Sequence, residues 1–211
     1  MARYLTEFVG TFFLVLTIGL TVTGGTDFAP LAIGCALMVM VYMGGHVSGA
    51  HYNPAVTLAV WMRGKLSASD VLPYVTSQVL GSLAASLIVL STSGRTFAPA
   101  PGPAAGPVPA LLVEALFTFA LALVVLNSAT AKATTGNSFY GLAIGFTIVV
   151  AAFAGGPISG GAFNPAVGIG PTVIHTAKGG GSFGHLWLYL VGPLAGGAAA
   201  AAVFRLQNPD D

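Results

Sequence analysis

The sequence predicts an all-α membrane protein of six transmembrane helices and two re-entrant half-helices, arranged as an inverted repeat. Composition is the first reason: 55% of residues are hydrophobic and 6% charged, with a mean hydropathy of +0.86, whereas a soluble domain carries about 25% charged residues. The apolar runs recur along the chain, so neither a removable leader nor a single-helix anchor accounts for them. The third reason is a short stretch that occurs twice. Ser48-Gly49-Ala50-His51-Tyr52-Asn53-Pro54-Ala55-Val56 returns as Ser159-Gly160-Gly161-Ala162-Phe163-Asn164-Pro165-Ala166-Val167, and the same register aligns Leu31-Ala32-Ile33-Gly34 with Leu142-Ala143-Ile144-Gly145. A lone Asn-Pro-Ala is an ordinary helix start, because Asn caps well and Pro suits the first helical position. Two copies in register, each after a glycine-broken apolar run, mark a repeat.

The first span is expected from about Tyr4 to Thr23, closed by the turn Gly24-Gly25-Thr26-Asp27. A second begins near Ala29-Pro30 and stays apolar to Met43, ending at Gly44-Gly45. Residues 53–62 are apolar again but too short to cross, since ten residues make about 15 Å of helix against a hydrocarbon core of about 30 Å. This is the first half-helix. Arg63-Gly64-Lys65 gives it a charged end, and Ser67 to Asp70 opens a third span from about Val71 to Leu90. Residues 91–109, rich in Pro, Gly, Ser and Ala, read as a long loop. The plan then repeats: a fourth span from about Ala110 to Asn127, a short loop carrying Lys132, a fifth from about Phe139 to Ala154, a second half-helix at 164–175, the flexible Gly179-Gly180-Gly181, and a sixth span from about Gly184 to Phe204.

Each half therefore holds three full spans and a half-span, and an odd number of crossings inverts the second half relative to the first. The expected division is a first repeat at 1–95, a connecting loop at 96–109 and a second repeat at 110–211, within one integrated membrane domain. Arg3, Arg63, Lys65, Lys132 and Arg205 fall on one side and Arg95 and Lys178 on the other. That bias favours a multi-pass protein of the plasma (inner) membrane with both termini cytoplasmic.

Two half-helices entering from opposite faces would meet N-terminus to N-terminus near the midplane, each pointing the positive end of its dipole at the centre. A cation there faces both ends. A neutral molecule meets Asn53 and Asn164, whose amide groups can donate into a lumen if their carbonyl oxygens are held by their own helices. A water accepting from both is oriented, which interrupts the chain of hydrogen bonds along which a proton would hop. The segments before each Asn, Gly49-Ala50-His51 and Gly160-Gly161-Ala162, cannot easily be helical. Backbone of that kind survives at membrane depth only when buried in protein or lining a water-filled cavity, and these carbonyls read as a ladder of acceptors along the lumen.

On these residues the sequence resembles the aquaporin and glycerol-facilitator (major intrinsic protein) family across essentially the whole chain. The paired Asn53-Pro54-Ala55 and Asn164-Pro165-Ala166, Glu7 and Glu114 in matching positions of spans one and four, Gln78 in span three and Pro193 in span six are similar to the family pattern. The resemblance implies a homotetramer in lipid with one pore per subunit, passive conduction of water and small neutral solutes, and no cofactor. It assigns Glu7 and Glu114 to supporting the non-helical loops. It also places a selectivity filter at Ile33, Ala152, Gly161 and Val167. The last is a departure, because the family usually has Arg after the second Asn-Pro-Ala. A wide, apolar, uncharged filter follows, one that would admit solutes of the glycerol, urea and ammonia class.

Alternatives stand beside several of these readings. Intramembrane acids such as Glu7 and Glu114 could instead bind protons in a secondary transporter, where inverted repeats with broken helices also occur. A pore kept closed for membrane contacts is a third class. His46 and His51 beside the first motif invite a pH gate, or simple lumen-side packing; four His and one Cys, scattered along the chain, make no metal site. His175 and His185 read as interface residues, and Cys35 as a small core residue. A net charge of +1 without a basic run excludes nucleic acid, and no catalytic triad, phosphate loop or paired carboxylate site points to an enzyme.

Overall fold

With no water to satisfy it in a bilayer, each apolar run must close its own backbone hydrogen bonds, and helices do so. A computed structural model describes residues 1–211. It contains α1 (Ala2–Gly24), α2 (Ala29–Ser48), α3 (Pro54–Met62), α4 (Ala68–Ser93), α5 (Pro107–Val125), α6 (Tyr140–Ser159), α7 (Pro165–Ala177) and α8 (Leu188–Gln207), with no strand. One π-helical turn, Leu126–Thr130, continues α5, and a 3-10 turn, Phe183–His185, precedes α8. Six of the helical stretches are long and apolar enough to cross a membrane; α3 and α7 are the half-helices.

The spans run longer than the sequence indicates. Helix α2 continues past Gly44-Gly45 to Ser48, and α6 past Gly155-Gly156 to Ser159. Gly44 and Gly155 are packing positions rather than breaks: a Cβ on Gly44 would strike the Tyr52 hydroxyl and one on Gly155 would lie 2.7 Å from Val113. The chain breaks five residues later, at Gly49 (φ 86°) and Gly160 (φ 89°), which cap α2 and α6 in the left-handed region that glycine adopts freely.

Packing repeats the sequence repeat. Helix α1 lies along α4 as α5 lies along α8, while α2 crosses α6 between the halves. At that crossing Gly34 and Gly145 face one another so closely that a Cβ on either would sit 2.6 Å from the other's carbonyl oxygen. Such small-residue contacts let the backbones meet. Each half-helix is seated on the last span of the other half, α3 on α8 and α7 on α4. The non-helical segments are thereby carried to the middle of the bundle.

Both chain ends lie on one face. Tyr4 donates to Asp70 (2.8 Å), Arg3 pairs with Asp70 (3.6 Å), Arg205 donates to the Met62 carbonyl, and Arg63, its guanidinium over the Phe204 ring of α8, pairs with Asp211 at 2.7 Å. Asp211 also accepts from the Lys132 backbone N–H (2.9 Å). Arg95 and Lys178 belong to the opposite face, where Arg95 donates to the Thr23 carbonyl. The Lys132 N–H, and then the charges of Arg63 and Lys132, hold the Asp211 carboxyl below the usual carboxylate range. A carboxyl depressed on folding stabilises the fold above its unfolded pKa, and that contribution is lost as pH falls through the folded value. Thermal unfolding in detergent should therefore drop on acidification below the carboxylate range, and Asp211→Asn should lower the neutral midpoint while flattening that part of the pH profile.

Candidate functional site

The centre is built on two buried glutamates. Glu7 Oε1 accepts from Ser48 Oγ (2.7 Å) and the His51 N–H (2.9 Å), while Oε2 accepts from the Tyr52 N–H (2.7 Å) and Gln78 Nε2 (2.8 Å). Glu114 repeats this for the second loop, taking Ser159 Oγ (2.8 Å), the Ala162 N–H (3.0 Å) and the Phe163 N–H (2.6 Å). It has no counterpart of Gln78. The bonds hold a costly backbone, for Ala50, Tyr52 and Phe163 have φ of 52°, 50° and 48°, each worth about 1–2 kcal/mol of strain for a residue with a Cβ. Hydrogen bonds to a charged acceptor contribute about 1.5–3 kcal/mol apiece, enough to offset it.

Asn53 and Asn164 cap α3 and α7, accepting through Oδ1 from the Ala55 (2.8 Å) and Ala166 (2.9 Å) N–H groups, with Pro54 and Pro165 at the first helical positions. Their amides reach across the repeat: Asn53 Nδ2 donates to the Phe163 carbonyl (2.9 Å) and Asn164 Nδ2 to the Tyr52 carbonyl (2.8 Å). The half-helices are thus locked N-terminus to N-terminus, and each amide keeps a second hydrogen uncommitted.

The neighbouring carbonyls divide cleanly. Those of Ser48 and Ser159 are capped by the hydroxyls of Tyr74 (2.8 Å) and Tyr189 (2.6 Å), and those of Tyr52 and Phe163 by the opposite asparagines. The three between them on each loop, at Gly49, Ala50 and His51 and at Gly160, Gly161 and Ala162, accept from no protein group.

A cavity of about 40 Å³ runs past these groups, lined by Ala50, His51, Asn53, Gly161, Ala162 and Asn164 and otherwise mostly by aliphatic side chains. Ile33, Ala152, Gly161 and Val167 all line it. Gly49 instead lines a mouth of about 350 Å³ on the face of the termini, together with Arg3, His46 and Lys65, and Gly160 is exposed at the other end. His51 is buried, its Nδ1 3.2 Å from Thr57 Oγ1, and His175 Nδ1 lies 2.8 Å from Thr96 Oγ1. Cys35 is half-buried in α2.

Sequence reasoning missed most of the apolar wall. It comes as four pairs at helical spacing: Leu14 and Ile18 on α1, Ile33 and Leu37 on α2, Leu121 and Val125 on α5, Ile144 and Ile148 on α6. Residues four apart share a helix face, and the second two pairs stand where the repeat register puts the first two, so applying that register to apolar i, i+4 pairs would have found them.

The sequence profile of major intrinsic proteins matches residues 1–204. The chain belongs to the major intrinsic protein family. Among its relatives, Aquaporin NIP1-1 of Oryza sativa subsp. japonica is 39% identical over 97% of this chain and 73% of its own length. Glycerol uptake facilitator protein-like 6 of Lactiplantibacillus plantarum is 36% identical over the whole of both chains. The fold matches the X-ray structure of the aquaglyceroporin from Plasmodium falciparum with a TM-score of 0.88, 22% identity and coverage of 99% and 97% of the two chains.

Proposed function

We propose that this major intrinsic protein is a passive channel for water and small uncharged solutes of the glycerol, urea and ammonia class. The observation that carries the reading is the set of four residues with free carbonyls, Ala50, His51, Gly161 and Ala162, and two half-committed asparagines along an apolar-walled cavity. A solute crossing it exchanges hydration for acceptors on one edge and keeps carbon against the other wall. Ile33, Ala152, Gly161 and Val167 act as its selectivity filter, wide and uncharged. Asn53-Pro54-Ala55 and Asn164-Pro165-Ala166 exclude ions at the centre, Glu7 and Glu114 support the loops, and no step uses a cofactor, metal or bond-making residue.

Four copies assemble in lipid, each with its own pore, and the chain divides into repeats at 1–95 and 110–211 about a linker at 96–109. The bias of basic residues toward the face of the termini supports a plasma (inner) membrane protein with both termini cytoplasmic. The vestibule of Arg3, His46 and Lys65 then opens to the cytoplasm.

Stopped-flow light scattering on proteoliposomes tests the reading, with water, urea and glycerol compared in one preparation. Fast flux of water or solute without any ion gradient is expected. Flux that requires a proton or sodium gradient would instead mark a secondary transporter, and no flux of any solute a closed structural protein. The exclusion mechanism makes its own prediction. Two helix N-termini present about half a positive charge each, so Asn164→Asp, which sets a carboxylate between them, should raise cation conductance of planar bilayers about tenfold or more while neutral-solute flux changes far less.

A further inference from the structure

The mouth on the face of the termini carries charge that passage of a neutral solute does not need. Arg3, His46 and Lys65 line it, and no Asp or Glu does. Asp70 faces Arg3 at 3.6 Å, yet the Arg3 side chain stays 59% exposed. The side chains of His46 and Lys65 are exposed and make no ion pair. A second lobe of about 340 Å³ adjoins the mouth and shares Gly45, His46, Gly49, Ala129 and Thr130 with it. Its character differs, for its remaining polar side chains are neutral, with Ser128, Thr134 and Tyr140 among them. Ser128 Oγ and Thr134 Oγ1 spend their hydrogens on the Val124 and Asn127 carbonyls (2.6 Å each), which leaves oxygen lone pairs to accept from a ligand. The Tyr140 hydroxyl lies beside Gly45, where a Cβ would be 3.3 Å from it. One lobe thus offers cations, the other hydroxyls, and His46 stands at the join.

Building on the channel reading, we propose that the two lobes form one site for a small polyol phosphomonoester, with the phosphate on Arg3, His46 and Lys65 and the polyol on Ser128, Thr134 and Tyr140, and that its binding closes the pore from this side. Such an ester carries about 1.5–2 negative charges at neutral pH, and a guanidinium fork matches phosphate oxygens. His51 and Val125 line both the mouth and the central cavity, so the occupant sits on the conduction axis. It does not pass, because a dianion would surrender its hydration against aliphatic walls. A position on the axis rather than among lipid tails favours a dissolved ester over a lipid headgroup. The ester differs from a permeant polyol by one phosphoryl group, and the cations are what tell the two apart.

Isothermal titration calorimetry in phosphatidylcholine nanodiscs tests the site, with glycerol 3-phosphate, inorganic phosphate and glycerol as probes. Glycerol 3-phosphate should bind about tenfold or more tighter than either other probe, and Lys65→Gln should weaken it about tenfold, the scale of one lost charge-assisted contact. Tyr140→Phe should weaken the ester about threefold and leave inorganic phosphate unchanged. Equal affinity for ester and inorganic phosphate overturns the two-lobed site, and ester binding that survives Arg3→Gln with Lys65→Gln overturns its location. Loss of ester binding with phosphatidic acid in the disc, but not with phosphatidylglycerol, would assign the site to a lipid headgroup and overturn the dissolved ligand. In stopped flow, saturating ester on both sides of the bilayer should slow glycerol entry about threefold or more, the scale of an occluded mouth, and should not slow it in Lys65→Gln. Undiminished entry overturns the closure. Absence of glycerol flux without ester overturns the channel reading and the closure with it, while the calorimetry still decides the site.

Discussion

Glu114→Ala is expected to leave almost no folded protein extractable as a monodisperse species, and Glu7→Ala to do the same. The carboxylate of Glu114 holds Ser159 Oγ and the Ala162 and Phe163 N–H groups, and it is fully buried. Truncation strands three donors where neither water nor another acceptor replaces it. Each costs about 1–3 kcal/mol, a sum comparable to the net stability of about 5–15 kcal/mol of a whole domain. Phe163, whose left-handed φ those bonds hold, would relax and carry its carbonyl away from Asn53. Glu114→Gln should be intermediate, because an amide offers one acceptor oxygen and turns a donor toward the donors that remain. Detergent melting curves of the three forms decide the matter; a wild-type midpoint for Glu114→Ala would show that the carboxylate does not hold the loop.

Glu114 was visible in the sequence as an acid in an apolar span, and its role came with the family resemblance. The half-helices were visible because helix length against bilayer thickness is arithmetic, and because Asn followed by Pro states its own capping chemistry. Gly44-Gly45 and Gly155-Gly156 misled because a glycine can either break a helix or admit a neighbour. Which it does depends on partners such as Tyr52 and Val113 that only the fold brings near. The contacts of the linker were unreadable for a similar reason. They run through the backbone of Ala100 and Gly102, and a Pro-Gly-Ala stretch looks the same whether it crosses open solvent or lies against the end of α6. The Asp211 contacts with Arg63 and Lys132 join residues remote in sequence, and no periodicity announces them.

Val167→Arg should reduce glycerol flux more than tenfold while reducing water flux by much less. Val167 is the first residue after the second Asn-Pro-Ala, and its aliphatic side chain lines the cavity beside Gly161 and Ala162. The free carbonyls of that loop give a guanidinium ready partners, and charge-assisted hydrogen bonds of this kind are about twice as strong as neutral ones. The side chain is thus held across the cavity, where its volume obstructs a three-carbon solute before it obstructs water. Its charge also adds to the two helix N-termini, so cation conductance should fall as well. Val167→Ala should move the ratio the other way by removing two methyl groups from the wall. Measured together by stopped flow, the pair separates size from charge: if both variants leave the glycerol-to-water ratio unchanged, the constriction lies away from Val167, with the aliphatic pairs of α1, α2, α5 and α6 as the next positions to substitute.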